Sequence, residues 1–124
     1  MTIPAELKYT ESHEWIKIED NIALIGITHH AQSELGDIVY VELPDQDAEF
    51  ETGQEFGTIE AVKTVADLFS PLSGKVIEVN EDLQDDAAVI NEDPYGKGWI
   101  IKMEISDLGD QLISGEEYKA FIGK

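Results

Sequence analysis

Short β-strand patterns separated by turn residues constrain the fold more than any other feature of this chain. Residues 15–18 and 22–27 are mostly apolar and rich in isoleucine, and they flank Glu19-Asp20-Asn21, which predicts a β-hairpin. Residues 38–43 form a third such pattern, which ends at Pro44. Many short strands with regular turns and little helix are typical of a small flattened barrel or sandwich. The sequence therefore predicts a mainly β fold.

Two helices are predicted from their capping residues. Thr28 can cap a short internal helix over residues 29–35, and Gly36 can close it. Ser114 is followed three residues later by Glu117, which is a capping box. A C-terminal helix is therefore expected to begin there and to end near Gly123.

One predicted hairpin presents a lysine at its tip. Strand patterns over residues 56–62 and 65–69 flank Lys63, which is the only lysine between Lys17 and Lys75. A lone lysine at a hairpin tip is badly placed for packing, and a modifying enzyme can grip such a loop and acylate the amine. Lys63 is therefore interpreted as the attachment point of a prosthetic arm. The alternative is a solvated lysine in an ordinary turn.

Composition excludes several functional classes. The chain has no cysteine, so disulfides, a thiol nucleophile and a cysteine metal site are absent. Its eight basic residues are all lysines and the net charge is −19, so neither nucleic acid nor an anionic membrane is an expected partner. Such acidity favours partners with basic rims. The hydrophobic content of 42% with regular strand patterning argues against disorder.

The predicted location is the cytoplasm. The N-terminal residues have neither a basic start nor an apolar run, and no apolar segment approaches the ~20 residues that span a bilayer. The mitochondrial matrix is the alternative if a presequence has been removed.

Other candidate sites are weak. His13 and the adjacent His29 and His30 fit no common zinc spacing, so a structural or solvated role is predicted and no metal is expected. Neither a Ser-His-Asp spacing nor a phosphate loop or dinucleotide fingerprint occurs, so no catalytic residues are assigned. Five aromatic residues are assigned to the core: Trp15, Tyr40, Phe69, Tyr95 and Trp99.

The Lys63 hairpin contains two specific motifs, Glu60-Ala61-Val62-Lys63 and Asp67-Leu68-Phe69-Ser70-Pro71-Leu72-Ser73-Gly74. Together they resemble the lipoylation hairpin of the glycine cleavage system H protein family. Further segments are similar to that family: Ser12-His13-Glu14-Trp15, Gly26-Ile27-Thr28, residues 31–44, Val79-Asn80 and residues 91–99. The resemblance covers about residues 9–118. The chain departs from the family pattern at Ala61 and Ala66, where serine is usual, at Ala87 and in the acidic segment 45–47.

The resemblance implies a single lipoyl-carrier domain over residues 1–124, with the barrel-sandwich hybrid fold of lipoyl and biotinyl domains. It implies lipoic acid joined to Lys63 as an amide by a lipoate-attaching enzyme. The arm would carry an aminomethyl group from glycine decarboxylase (the P protein) to a folate-dependent aminomethyltransferase (the T protein). Dihydrolipoamide dehydrogenase (the L protein) would reoxidise it. The carrier itself would not be an enzyme.

The resemblance also implies a resting place for the arm. By matching motif, its polar end would be formed by Ser12 and Glu14, with Asp67 just after the hairpin. Two carboxylates near one ammonium give charge-assisted hydrogen bonds. Ordinary surface polar residues are the alternative interpretation of all three.

Three other functions stay open from the sequence. A lipoyl donor would pass its lipoyl group to other acyl-carrier domains. A biotinyl carrier shares the fold, but its lysine is usually flanked by methionines, whereas Val62 and Thr64 flank Lys63 here. An interaction module whose acidity mimics nucleic acid would leave Lys63 unmodified.

Overall fold

The computed structural model describes residues 3–123. Nine strands and four helices lie within that range. The strands are β1 (Lys8–Tyr9), β2 (Glu14–Glu19), β3 (Ile22–Ile27), β4 (Ile38–Glu42), β5 (Glu49–Phe50), β6 (Glu55–Ala61), β7 (Val65–Phe69), β8 (Ser73–Val79) and β9 (Ile101–Asp107). The helices are α1 (His29–Leu35), α2 (Asp82–Asp85), α3 (Val89–Glu92) and α4 (Gly115–Ile122). The predicted mainly β fold with a short internal helix and a C-terminal helix is confirmed.

The strands form two antiparallel sheets. The larger sheet has the order β1-β2-β3-β9-β8-β5, and the smaller has the order β4-β6-β7. Their inner faces enclose the main core, which includes Ile25 and Met103 from the larger sheet and Val41, Ile59 and Leu68 from the smaller. These five side chains are at most 2% exposed. Burial of this apolar surface holds the sheets together.

The local turn and cap signals match the structure. Strands β2 and β3 pair through Glu19 and Ile22, with Asp20 at φ 53° in the turn between them. The Thr28 hydroxyl accepts a hydrogen bond from the Ala31 N–H at 3.1 Å at the start of α1. At α4 both hydrogen bonds of the predicted capping box are present. No helix within residues 3–123 is long and apolar enough to cross a membrane.

Strand β9 was not predicted, although it lies between β3 and β8 in the larger sheet. Its alternation of buried Ile101 and Met103 with Lys102 and Glu104 is a two-residue period that the sequence contains. The four-residue helices α2 and α3 were also not predicted, because each is too short to show a helical period.

Two of the aromatic assignments are wrong. Tyr40 is 43% exposed and Phe69 is 36% exposed, because both lie on the outer face of the smaller sheet. Trp15 is buried, and Tyr95 and Trp99 are partly buried against the same group of side chains. These three belong to a second cluster, which also contains Tyr9 of β1 and Tyr118 of α4.

Gly57 permits a close approach of two strands. It lies at a register shift in β6, and a Cβ atom there would meet the carbonyl oxygen of Glu42 well inside contact distance. Because the obstacle is backbone, Gly57→Ala is expected to lower the free energy of unfolding by about 3 kcal/mol, the upper end for overpacking. Urea unfolding measures this. Gly36→Ala, which adds a methyl group in open space at φ +80°, is expected to cost about 1 kcal/mol. A smaller loss at Gly57 than at Gly36 would contradict the close-approach explanation.

Candidate functional site

Lys63 lies at the exposed tip of the β6–β7 hairpin. Glu60 and Val65 are the last paired residues, and the Ala61 N–H donates to the Thr64 carbonyl at 2.8 Å across the turn. The structure shows no ion pair to Lys63 from any residue in 3–123. The short, braced turn therefore presents an unpaired amine to solvent.

Apolar side chains surround this tip without being buried. Val62 is 70% exposed and Val65 is 60% exposed, and Val39 on β4 is 58% exposed. Tyr40 pairs with Glu60, which in turn pairs with Val65, so these residues form a continuous row across the smaller sheet. The face beside Lys63 consequently carries exposed apolar side chains on either side of the Glu60 carboxylate.

A cleft of about 180 Å³ opens between the smaller sheet, α1 and the start of β2. Its lining is mostly apolar and includes three carboxylate residues, one each from β2, α1 and β7. The residues that line it are Ser12, His13, Glu14, Ile27, Ala31, Glu34, Leu35, Ile59, Ala66, Asp67 and Leu68. All three residues predicted to dock the arm, Ser12, Glu14 and Asp67, are thus brought together in one cleft.

Glu14 is the buried carboxyl group of the cleft. Its side chain is 1% exposed, and Oε1 accepts hydrogen bonds from the Thr10 and Ser12 hydroxyls, both at 2.6 Å. The Phe69 N–H donates to Oε2 at 3.5 Å. Burial raises the pKa of Glu14 to about 7, and these hydrogen bonds only partly offset the effect. A cation entering the cleft would therefore stabilise the ionised form of Glu14, which burial alone disfavours.

The turn before Glu14 is held in a conformation that few residues adopt. His13 has φ 73°, in the left-handed region, which costs a non-glycine residue about 1–2 kcal/mol. Its N–H donates to the Thr10 carbonyl at 3.1 Å, and the Thr10 N–H donates to the Glu14 carbonyl at 3.1 Å. The closed turn lets the Thr10, Ser12 and Glu14 side chains meet. His13 and Glu34, which line the cleft, and Thr10, which holds Glu14, were not predicted as site residues, although residues 10, 12 and 14 alternate as a strand edge would.

Asp67 differs from Glu14 in its surroundings. It is exposed on β7, opposite Thr58 on β6, and its charge raises the pKa of the neighbouring Glu55. Ala66 beside it lines the cleft, so the alanine in place of the usual family serine makes the lining more apolar. Asp67 therefore supplies a solvated negative charge at the mouth, whereas Glu14 supplies a shielded one.

The histidines make hydrogen bonds and ring contacts. The His13 ring lies 4.9 Å from the His30 ring, and His30 Nε2 lies 4.0 Å from the Glu34 carboxylate. The Tyr95 hydroxyl accepts a hydrogen bond from the backbone N–H of His29. Across the described part of the chain, no three His, Cys, Asp or Glu residues are grouped so that they could hold a metal ion.

Burial of Glu14 predicts an unusual pH dependence of stability. Because its folded-state pKa of about 7 lies above the ordinary value of 4.5, its stabilising contribution is complete below about pH 4.5 and is lost as the pH rises through 7. Glu14→Gln cannot ionise, so its free energy of unfolding is expected to gain up to about 3 kcal/mol relative to wild type between pH 5 and pH 8.

Urea unfolding at the two pH values measures this gain. Glu42→Gln removes an exposed carboxylate of the smaller sheet and serves as the control. The same pH dependence in wild type and Glu14→Gln would contradict the burial of an ionisable carboxyl group.

Comparison with known proteins identifies one family. Residues 7–124 match the family described as glycine cleavage H-protein. A glycine cleavage system H protein from Staphylococcus epidermidis strain RP62A is 52% identical over 126 residues, covering 100% of both chains. The protein of that name from strain ATCC 12228 is also 52% identical over 126 residues, with 100% of both chains covered.

A solved structure has the same fold. The crystal structure of a glycine cleavage system H protein from Mycobacterium marinum superposes with a TM-score of 0.94 at 39% identity. The match covers 98% of this chain and 100% of that one. This likeness confirms the predicted barrel-sandwich hybrid fold class.

Proposed function

The chain belongs to the glycine cleavage H-protein family, and from this membership we propose that residues 1–124 form one lipoyl-carrier domain with its lipoyl group on Lys63. Family membership makes the protein a lipoyl carrier component of the glycine cleavage system. The observation that carries the assignment of Lys63 is its exposed, unpaired amine at the tip of a braced hairpin, on the sheet that forms one wall of the cleft.

Lys63 and the cleft suit a long acyl chain. Asp67 follows Lys63 by four residues, the first within the turn and the others in β7, so the Cα atoms of Lys63 and Asp67 lie at most about 13 Å apart. A lysine acylated with an eight-carbon chain spans about as far, at about 1.2 Å per bond. The lipoyl group, when bound, supplies a disulfide that accepts electrons and a carbon unit together, which a chain without cysteine cannot do itself.

The cleft residues are proposed to protect the cargo. An aminomethyl cargo carries an ammonium group, which suits the Glu14 carboxylate and the Ser12 hydroxyl, with Asp67 at the mouth. Ile27, Leu35 and the other apolar lining residues exclude water from it. We therefore assign Ser12, Glu14 and Asp67 to docking of the loaded arm.

The partners are other components of the glycine cleavage system. We propose glycine decarboxylase, the aminomethyltransferase and dihydrolipoamide dehydrogenase as the enzymes that act on the arm, and a lipoate-attaching enzyme as its source. Each must approach the tip of the hairpin, where Val39, Val62 and Val65 are exposed. The chain serves these enzymes as a substrate and contributes no catalytic residue in this proposal. Both curated relatives are bacterial, so the proposed compartment is the cytoplasm.

Exchange of labelled carbon dioxide into glycine tests the proposed function. Lipoylated chain is mixed with glycine decarboxylase, glycine and labelled bicarbonate, and the unlipoylated chain is the control. Exchange should rise many-fold when the lipoylated chain is added, and it should not rise when the unlipoylated chain is added. Exchange that is equal with both forms would contradict a carrier role in glycine cleavage. Transfer of a labelled lipoyl group to another acyl-carrier domain would identify the lipoyl-donor role instead.

A further inference from the structure

A buried tyrosine of the C-terminal helix connects to the cleft wall. Tyr118 is 0% exposed, and its hydroxyl lies 2.7 Å from Thr28 Oγ1 and 2.8 Å from His13 Nδ1. Thr28 is the N-cap of α1, and His13 lines the cleft between the docking residues Ser12 and Glu14. One phenol therefore joins the C-terminal helix, α1 and the cleft.

The direction of each hydrogen bond in this network follows from the partners of the Thr28 and Tyr118 hydroxyls. Thr28 Oγ1 already accepts the Ala31 N–H at 3.1 Å. Among residues 3–123, the only acceptor within reach of the buried Thr28 hydroxyl hydrogen is the Tyr118 oxygen. Thr28 accordingly donates to Tyr118, and Tyr118 donates to His13 Nδ1. With Nδ1 accepting, the single ring hydrogen of His13 is on Nε2 and the ring is neutral.

Adding a second proton to His13 would disturb this order. The proton would go to Nδ1, Tyr118 would have to turn its hydrogen towards Thr28, and the Thr28 hydroxyl hydrogen would lose its acceptor inside the protein. Burial lowers the pKa of His13, and the nearby His30 lowers it further, against the opposing effect of Glu34. The titratable groups around His13 are His30 and Glu34 on α1, Tyr118 on α4, Glu14 on β2 and, across the cleft, Asp67 on β7.

We propose that Tyr118 and Thr28 are positioning residues that hold His13 neutral, with its hydrogen on Nε2, in the wall of the arm-docking cleft. A neutral wall leaves the carboxylates of the cleft to the ammonium of the cargo, whereas an imidazolium there would compete for them. The inference rests on the proposed docking of the loaded arm in this cleft. It adds to that docking site two residues that do not line it.

The arrangement is tested first on the unloaded chain. Nitrogen-15 NMR of the histidine rings between pH 5 and pH 9 reports the tautomer and the pKa of His13. Wild type should show the Nε2–H form. Tyr118→Phe removes the donor to Nδ1, so His13 should become a mixture of tautomers, with its pKa higher by about one unit for one lost hydrogen bond. An Nδ1–H form in wild type, or an unchanged pKa in Tyr118→Phe, would overturn the proposal.

Tyr9→Phe is the matched control. Tyr9 is also 0% exposed and stacks on Tyr118 at 4.8 Å, but its hydroxyl donates to the Pro4 carbonyl. It should leave His13 unchanged. If Tyr118→Phe does not fold, a second pair of variants decides. Thr28→Val frees the Tyr118 oxygen to accept from Nδ1–H and should raise the pKa of His13, whereas Thr28→Ser keeps the hydroxyl and should not.

The consequence for docking is measured on the loaded carrier. At pH 6.5 the lifetime of the aminomethyl cargo should be several-fold shorter in Tyr118→Phe than in wild type, and the two should converge at pH 8.5. Equal lifetimes at pH 6.5 would overturn the positioning role. Failure of the docking site itself would be recognised separately, because cargo lifetime would then be insensitive to Glu14 and Asp67 while the NMR spectra still showed the expected tautomer.

Discussion

Replacement of Lys63 by arginine is expected to abolish attachment of the arm while leaving the fold intact. The guanidinium stays protonated and cannot act as the acylated nucleophile, although it keeps the charge and nearly the length of lysine. Lys63 is exposed at the hairpin tip, and its turn is held by backbone hydrogen bonds such as that from the Ala61 N–H to the Thr64 carbonyl. Stability should therefore change by less than about 0.5 kcal/mol. Intact mass after incubation with lipoate and an attaching enzyme measures the first effect, and urea unfolding measures the second.

Lys75→Arg is the matched control for this result. Lys75 is also exposed, and its amine lies 4.0 Å from the Asp47 carboxylate. Because it lies on β8, the same substitution there removes an amine that is not at the hairpin tip. It should gain the lipoyl mass as wild type does. A Lys63→Arg protein that still gained this mass would show that another lysine is the attachment site.

The second large effect is expected from the two docking carboxylates. Glu14→Gln combined with Asp67→Asn keeps the side-chain shapes but removes two of the three carboxyl groups that line the cleft and leaves Glu34 in place. A charged hydrogen bond contributes about 1.5–3 kcal/mol, so the loss of even one shielded bond should shorten the lifetime of the aminomethyl cargo at least about ten-fold. Lipoylation and folding should be unaffected. Release of ammonia and formaldehyde from the isolated loaded carrier measures the lifetime.

A charge-matched variant separates docking from the overall acidity. Asp45→Asn combined with Glu51→Gln makes the same change in net charge at exposed positions outside the cleft. Its cargo should survive as long as that of wild type. Equal lifetimes in all three proteins would leave Glu14 and Asp67 without a docking role.

Features encoded by neighbouring residues could be predicted from the sequence. The β2–β3 turn, the Thr28 cap and the capping box at Ser114 depend on a few adjacent side chains. The hairpin around Lys63 was predicted for the same reason, since strand patterns flank it on both sides. Local hydrogen bonding and turn chemistry need no knowledge of the distant chain.

Features that depend on tertiary packing could not be predicted in the same way. Tyr40 and Phe69 are as apolar as core residues, and only the uncovered outer face of the smaller sheet makes them exposed. The contact between His13 and Tyr118 joins residues 105 positions apart. Glu14 and Asp67 were predicted to lie near each other only because they match a family motif. That Glu14 is buried while Asp67 is exposed depends on how β2, α1 and β7 pack around the cleft.

The site of attachment can be measured directly on the wild-type chain. After lipoylation, cleavage after Glu60 and Glu78 releases a peptide of residues 61–78 that contains Lys63 and Lys75, which fragmentation mass spectrometry distinguishes. The whole lipoyl mass is expected on Lys63, and none is expected on Lys75 or on any other peptide. Lipoyl mass on another lysine, or a biotinyl mass in its place, would contradict this assignment.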